Sequence, residues 1–226
     1  MGRIVRERSA SGPAPLIVIG AGGHAKVVIE AIRAQGLFEP VGCTDPNAGG
    51  ARVLGVEIIG GDDQLDVMRA DGVRHIFVAL GDGRLRMRIG AALLQKGFVL
   101  PSVIHPAATI SPSARIGRGV VVMAGAVINA EASIGDFAIV NTLASIDHDC
   151  VLGAGVHVAP RTALAGCVQL GEGVFLGVGA VVKPNVKIGD HAVVGAGGVV
   201  VRDLPPGIEA VGVPAKPRSK KPSSER

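Results

Sequence analysis

The 226-residue sequence has no Trp, no Tyr and only five Phe. Without large rings the interior must be filled by aliphatic side chains, which excludes a core built on aromatic packing. The same scarcity removes the stacking platforms that single-stranded nucleic acids use. The net charge of +4 does not gather into a basic face either. Arg3, Arg6 and Arg8 precede the first apolar run, and Lys216, Arg218, Lys220, Lys221 and Arg226 follow the last. Both clusters read as solvated tails, so no nucleic-acid partner is expected. The three cysteines, Cys43, Cys150 and Cys167, show no CxxC spacing, which points to a reducing compartment without structural disulfides. No apolar stretch reaches membrane-spanning length, and no signal-peptide core precedes the first strand. A soluble, cytoplasmic protein with no membrane partner is the expectation.

What the sequence has in plenty is glycine, 34 residues, and small or branched aliphatics within a hydrophobic share of 48%. These residues fall into two regions of different period. Residues 1–14 are polar and read as a disordered leader. Leu16-Ile17-Val18-Ile19 then forms a buried-strand run, ending in Gly20-Ala21-Gly22-Gly23-His24. Val27, Val28, Ala31 and Ile32 continue at helical spacing, with Gly36 as a stop. Pro40–Cys43 predicts a second strand, and Asp62 a capped helix to about Ala70. Ile76–Leu80 predicts a third strand, followed by Gly81-Asp82-Gly83 and an amphipathic helix that stops near Gly97. Strands alternating with helices predict a small, Rossmann-like parallel sheet over residues 15–102.

At Ile104 the period becomes six. Every sixth residue from Ile104 to Val200 is Ile, Val or Leu, seventeen in all, where composition would place roughly eight. Four residues after most of these stands a small one, such as Ala126, Ala132, Ala144 or Thr162. Glycine follows the aliphatic position at 117, 135, 153, 171, 177, 189 and 195, and is read here as the residue that turns the corner. Three hexads close a triangular coil, and coils stack at ~4.8 Å so that short strands pair in parallel. This predicts a β-helix over residues 103–203. Residues 204–226 form a C-terminal segment and basic tail.

The glycine turn Gly20-x-Gly22-x-x-Ala25 is one variant of the dinucleotide fingerprint, and N–H groups at a helix start can hold a phosphate. The region is too short for an NAD domain. His148 stands away from the interior slot of its hexad, where a neutral imidazole can accept a proton near pH 7. Asp149 can hold that imidazole and raise its basicity. An ordinary polar corner is the plain alternative for this pair.

Taken in order, Gly20–Lys26, Thr44-Asp45, Leu80-Gly81-Asp82 with Arg84, Asn141-Thr142, Asp147–Cys150, His157-Val158 and Gly212–Lys216 resemble the sialic acid O-acetyltransferase-like family of bacterial sugar O- and N-acyltransferases. The resemblance extends over about residues 15–216. Its best-understood members are the N-acetyltransferases of the bacillosamine and perosamine pathways. The resemblance supplies the left-handed winding, since periodicity alone cannot. It also implies an acetyl-CoA-dependent transfer to the 4-amino group of a nucleotide-linked 4-amino-4,6-dideoxy sugar, such as GDP-perosamine or a UDP-amino sugar. His148 would be the general base and Asp149 its partner. His157, the Gly166 N–H, Val178 and Ala196 would meet acetyl-CoA, with Gly166 as oxyanion donor. Gly22, Gly23, His24, Asp45 and Gly81 would hold the sugar nucleotide. Coenzyme A would lie between neighbouring subunits of a homotrimer, with no metal.

Several positions keep two readings. Asp45-Pro46 is also a simple turn, Lys216 a CoA-phosphate contact or a solvated lysine, and Arg84 and Arg86 phosphate contacts or a solvated helix face. His75, His105 and His191 are read as structural. Cys167 has no activating neighbour in the sequence, so direct attack in a ternary complex is expected rather than an acyl-cysteine. O-acetylation of a sugar is the neighbouring alternative. A γ-carbonic anhydrase-like zinc lyase is a distant one, because it needs three His ligands and only His148 and His157 are close in sequence. A binding solenoid without catalysis is the third.

Overall fold

The computed structural model describes residues 12–46 and 50–218. The expected disorder of the leader therefore falls almost wholly outside the described residues, as do the leader's three arginines and the tail's Lys220, Lys221 and Arg226.

Three parallel strands open the chain: β1 (Ala14–Ile19), β2 (Phe38–Thr44) and, after the short antiparallel pair β3 (Arg52–Val53) and β4 (Val56–Glu57), β5 (His75–Val78). They lie in the order β2-β1-β5, with β1 central. Helix α1 (Gly23–Gln35) buries Ala25, Val28, Ile29, Ala31 and Ile32, and stops at Gly36 in the left-handed conformation, φ 72°. The helical spacing and its glycine stop are as the sequence predicts. The next helix differs. A 3₁₀ turn, Asp62–Gln64, precedes α2 (Leu65–Ala70), and no side chain caps either segment. The Asp62 carboxylate instead accepts the Thr44 hydroxyl at 2.8 Å. Helix α3 (Gly83–Gln95) is capped by Asp82, whose side chain accepts the Leu85 N–H.

From β6 (Val103–Ile104) to β22 (Val199–Val200), a two-residue strand recurs every six residues without interruption. Every third strand pairs in parallel, giving three faces of a prism. The first face runs from β6, the second from β7 (Thr109–Ile110), the third from β8 (Arg115–Ile116). The periodic aliphatics and the small residues between them form one continuous interior, including Ile128, Ile134, Val140, Ile146, Ala144 and Cys150. This is the parallel β-helix expected from the hexapeptide period, with the left-handed winding that the family resemblance implies. β23 (Glu209–Val211) adds to the first face, and β24 (Lys216–Pro217) folds back against it.

The corners depart from expectation. The glycines at 117, 135, 153, 171, 177, 189 and 195 do not take the left-handed conformation; that falls two residues after the glycine position. There it is adopted by glycine at 119, 125, 155, 173, 179 and 197, and by side-chain-bearing residues at Glu131, Phe137, Leu143, Asp149, Arg161, Cys167, Asn185 and His191, the latter at φ 56–62°. Such a conformation costs an L-residue about 1–2 kcal/mol. It is offset by coil-to-coil bonding: the N–H of Asp149, for example, reaches the Ala130 carbonyl at 3.0 Å. The regular spacing of the glycines has another cause. A Cβ on Gly135 would stand 2.6 Å from the Gly153 carbonyl carbon, and one on Gly153 2.7 Å from that of Gly171. These glycines let successive coils stack.

The N-terminal sheet and its helices dock on the first face. The outward residues of its lower strands, Val103, Val121 and Ile139, are buried with Leu16, Val18, Val28 and Ile32 in one core. A second core joins Ile17, Ile76 and Leu93 to Phe137 on the edge between third and first faces. Further along the same outward column come His157, partly buried, and then Phe175 and Val193, 36% and 37% exposed. His157 thus marks the rim of the docked domain. Among the described residues no helix is long and apolar enough to cross a membrane.

Candidate active site

The sequence-selected residues fall on two separate edges of the prism. The edge between second and third faces carries His148 and Asp149, in the corner between β13 (Ser145–Ile146) and β14 (Val151–Leu152). The Asp147 carboxylate pins this corner by accepting the His148 N–H at 2.8 Å and the Asn129 side-chain amide at 2.9 Å. The left-handed turn at Asp149 then places its Oδ2 2.8 Å from His148 Nδ1. An imidazole that donates Nδ1–H to a carboxylate keeps its lone pair on Nε2. The hydrogen bond to Asp149, followed by the charge of Asp147, raises the His148 pKa above its ordinary value. Both side chains are more than half exposed in the single chain.

One coil on, at 148 + 18, lies Gly166. A Cβ there would sit 2.5 Å from His148 Cε1 and 2.6 Å from Nε2, so the ring rests directly on a residue that must lack a side chain. Gly166 is buried, and among the described residues its N–H has no hydrogen-bond acceptor. Cys167 follows, one coil above Asp149, its N–H bonded to the His148 carbonyl at 2.9 Å. Its thiol, one imidazole nitrogen and an Asp149 oxygen all lie within 4.8 Å of one another. The linear sequence sets Cys167 apart from both residues. A coil of eighteen residues stacks 167 on 149, and that arithmetic was available in the periodicity.

The second constellation lies across the prism, on the first face and its edge with the second. Gly22, Gly23 and Gly81 stand at the carboxyl ends of β1 and β5, and Asp45 at that of β2, the end where parallel α/β sheets bind ligands. Gly20 is held at φ +101° with Leu80 against it, so its bareness has a packing cause. Gly22, Gly23 and Gly81 have none: a Cβ on any of them would meet nothing within 4 Å. Gly22 and Gly23 open a thirteen-residue helix with free space around them, and with Gly81 beside them they form a cradle suited to phosphate oxygens.

Beside this cradle, His24 approaches His157, ring centroids 6.3 Å apart, and His157 stacks edge-on against Phe175 at 5.1 Å. The Asn141 amide nitrogen is 3.4 Å from His157 Nε2. Burial first, then the Arg86 charge, lowers the pKa of each histidine to about 4. The Gly81 backbone opposes this at His157 without making a well-formed bond to Nδ1, which has no partner, as His24 Nε2 has none. Both rings are therefore neutral near pH 7. Val178 and Ala196 sit one above the other on the adjoining edge, both exposed, beside Gly179 and Gly197, which leave open space.

Arg86 is neither a phosphate contact nor solvated. It is 1% exposed, and its guanidinium donates to four backbone carbonyls: Leu80 at 2.7 Å, Gly81 at 3.0 Å, Phe137 at 2.7 Å and Gly155 at 2.8 Å. Two belong to the loop after β5 and two to corners of the β-helix. The residue fixes the cradle to the prism. Nothing in its sequence context distinguished it from Arg84, which is exposed.

The predicted residues are thus brought together in two groups, not one. His148, Asp149 and Gly166 share one edge. Gly22, Gly23, His24, Gly81 and His157 share the docking face, with Val178 and Ala196 on its border. The prism lies between, and His148 and His157 cannot join in one zinc site within a chain.

Residues 15–93 match the family model of the PglD N-terminal domain, and residues 167–202 that of the bacterial transferase hexapeptide repeats. Among solved structures, the perosamine N-acetyltransferase PerB of Caulobacter crescentus, in complex with CoA and GDP-perosamine, is 52% identical with a TM-score of 0.87. The match covers 92% of this chain and 100% of that one. The acetyltransferase domain of PglB from Neisseria gonorrhoeae, with acetyl coenzyme A, is 42% identical over 92% of this chain and 100% of that one, TM-score 0.87. WeeI from Acinetobacter baumannii is 25% identical over 91% and 100%, TM-score 0.82. Sequence motifs, a β-helix fused to a small parallel sheet and full-length likeness to these enzymes agree: the chain belongs to the sialic acid O-acetyltransferase-like family of sugar acyltransferases, the group of the perosamine- and bacillosamine-pathway N-acetyltransferases.

Proposed function

We propose that the protein is an acetyl-CoA-dependent N-acetyltransferase. Its acceptor is the 4-amino group of a nucleotide-linked 4-amino-4,6-dideoxy sugar, GDP-perosamine or a UDP-amino sugar. The observation that carries this reading is the His148–Asp149 pair. Its Nε2 lone pair stands free at an exposed edge beside the unpaired N–H of Gly166.

The neutral amine attacks the thioester carbonyl, and Nε2 of His148 takes the proton the nitrogen sheds. Asp149 stabilises the imidazolium that forms. The Gly166 N–H donates to the carbonyl oxygen as it gains charge. Collapse of the tetrahedral adduct expels the CoA thiolate, which recovers the proton from His148. Gly22, Gly23 and Gly81 receive the diphosphate, with His24 beside the sugar and Asp45 toward the nucleoside. The α/β region, 15–102, holds the nucleotide, and the β-helix, 103–203, holds the coenzyme. Neutral His157 faces the thioester, and Val178 and Ala196 border the pantetheine arm. These groups act without a metal.

Because the base and the cradle stand on opposite sides of one prism, the reaction needs two chains. A cyclic homotrimer supplies them. One subunit's His148 edge faces its neighbour's first face and the CoA-lined border between. The enzyme works in the cytoplasm, where both cosubstrates are made.

The test is turnover of His148→Asn against a panel of GDP-, UDP- and dTDP-amino sugars. The variant is expected to lose at least about a thousandfold in kcat while CoA binding, measured by calorimetry, is retained. Near-normal turnover removes the base assignment. Acetylation of hydroxyl acceptors in preference to every amine would move the protein to sugar O-acetylation, with the same base.

A further inference from the structure

The corner that carries the base has a third chemically potent group. We infer that His148, Asp149 and Cys167 form a binding site for a borderline-soft divalent cation of the zinc class, and that its occupancy switches acetyl transfer off. The site stands on geometry alone; its consequence for turnover rests on the function proposed above.

The three ligand atoms are a nitrogen, a carboxylate oxygen and a sulfur, all within 4.8 Å of one another. Tetrahedral zinc, with bonds of about 2.0–2.3 Å, places its ligands roughly 3.3–3.8 Å apart. The 2.8 Å gap between Nδ1 and Asp149 Oδ2 needs slight widening. The thiol needs at most a rotamer adjustment, and water completes the shell. The backbone already fixes the spacing. Asp149 and Cys167 occupy the same left-handed corner position in successive coils, and Cys167 N–H bonds to the His148 carbonyl. Cys43 and Cys150 are buried, whereas Cys167 is partly exposed beside two exposed ligands. The mixed set suits zinc or cobalt and not magnesium or calcium, which demand oxygen cages.

Binding releases the thiol proton and leaves a thiolate–metal bond. If the metal takes Nδ1, the proton remaining on the neutral ring must reside on Nε2, which turns the acceptor into a donor. If it takes Nε2, the lone pair is occupied outright. Either way the proton of the attacking amine has nowhere to go.

The probe is cobalt(II), titrated into the full-length protein without CoA or sugar nucleotide. A thiolate-to-cobalt charge-transfer band saturating at one equivalent per chain, and bleached by zinc, is expected. Cys167→Ala should lose the band and keep basal turnover. It should also resist zinc inhibition at least about tenfold better than the parent. Turnover is followed by chromatography of the acetylated sugar nucleotide, since free CoA thiol itself binds zinc. No band in the parent, or an undiminished band in Cys167→Ala, overturns the site. A Cys167-dependent band with zinc-insensitive turnover supports the site and overturns its link to the base.

Discussion

At the scale of the residue, the site is decided by what each side chain is pressed against. His148 rests on Gly166 and leans on Asp149, and the two contacts have separable consequences. Asp149 raises the His148 pKa, so a general base at this position is protonated, and inactive, up to a higher pH than a free imidazole would be. Replacing Asp149 by Asn removes that stabilisation of the imidazolium. The acid limb of the kcat/KM profile should therefore move to lower pH, while the plateau falls by about one to two orders of magnitude. An acid limb left in place would show that Asp149 does not set the basicity. Gly166→Ala adds a methyl where the ring lies, on a backbone that tolerates it. Turnover should drop severalfold or more with little change in melting temperature. Unaltered kinetics would mean that the ring relocates at no cost.

At the scale of the element, the coil period explains more than local propensity does. The seventeen aliphatics were legible from Ile104 onward because a β-helix repeats one environment, so weak signals at single positions add. The corners were not. Eight side-chain-bearing residues take the left-handed position, where tertiary hydrogen bonding between coils overrides intrinsic preference. The regularly spaced glycines turned out to serve coil stacking. Gly135→Ala forces a Cβ against the next coil's backbone at 2.6 Å and should cost about 2 kcal/mol or more in urea unfolding. Asp62 was expected as a cap, but a hydroxyl on the neighbouring strand offered it a better donor. Arg86 was wholly illegible, since its four partners are backbone carbonyls from segments up to 69 residues away. Arg86→Met should lower the unfolding free energy by about 3 kcal/mol or more. Lys in its place should not restore it, because one ammonium cannot reach carbonyls on four sides. A urea midpoint for Arg86→Lys equal to the parent's would refute the clamp.

At the scale of the whole molecule, the docked domain and the prism share a buried polar seam, and its titration lowers stability on the acid side. His24 and His157 titrate near 4 in the folded chain and near 6.5 once unfolded. Above pH 6.5 neither state binds these protons and they do not affect stability. As pH falls from 6.5 to 4 the unfolded chain takes them up first, and stability declines by a few kcal/mol in total before levelling off. The urea midpoint should fall across that window, and less steeply in His157→Asn. The motifs named the candidate residues of both halves. The coil period sets His148 and His157, nine residues apart, half a turn from one another, but it carries no information about which face receives the N-terminal sheet, so the place of the cradle was not legible.

The proposed active site is completed between subunits, with His148 as its base. The direct measurement is complementation. His148→Asn, lacking the base, and Gly22→Val, with its cradle filled, are co-expressed under different tags and purified through both. In a cyclic trimer that carries both tags, about one interface in three pairs an intact base with an intact cradle, and acetylation of the amino sugar should return well above either parent. Mixed assemblies no more active than the two parents would contradict a shared site.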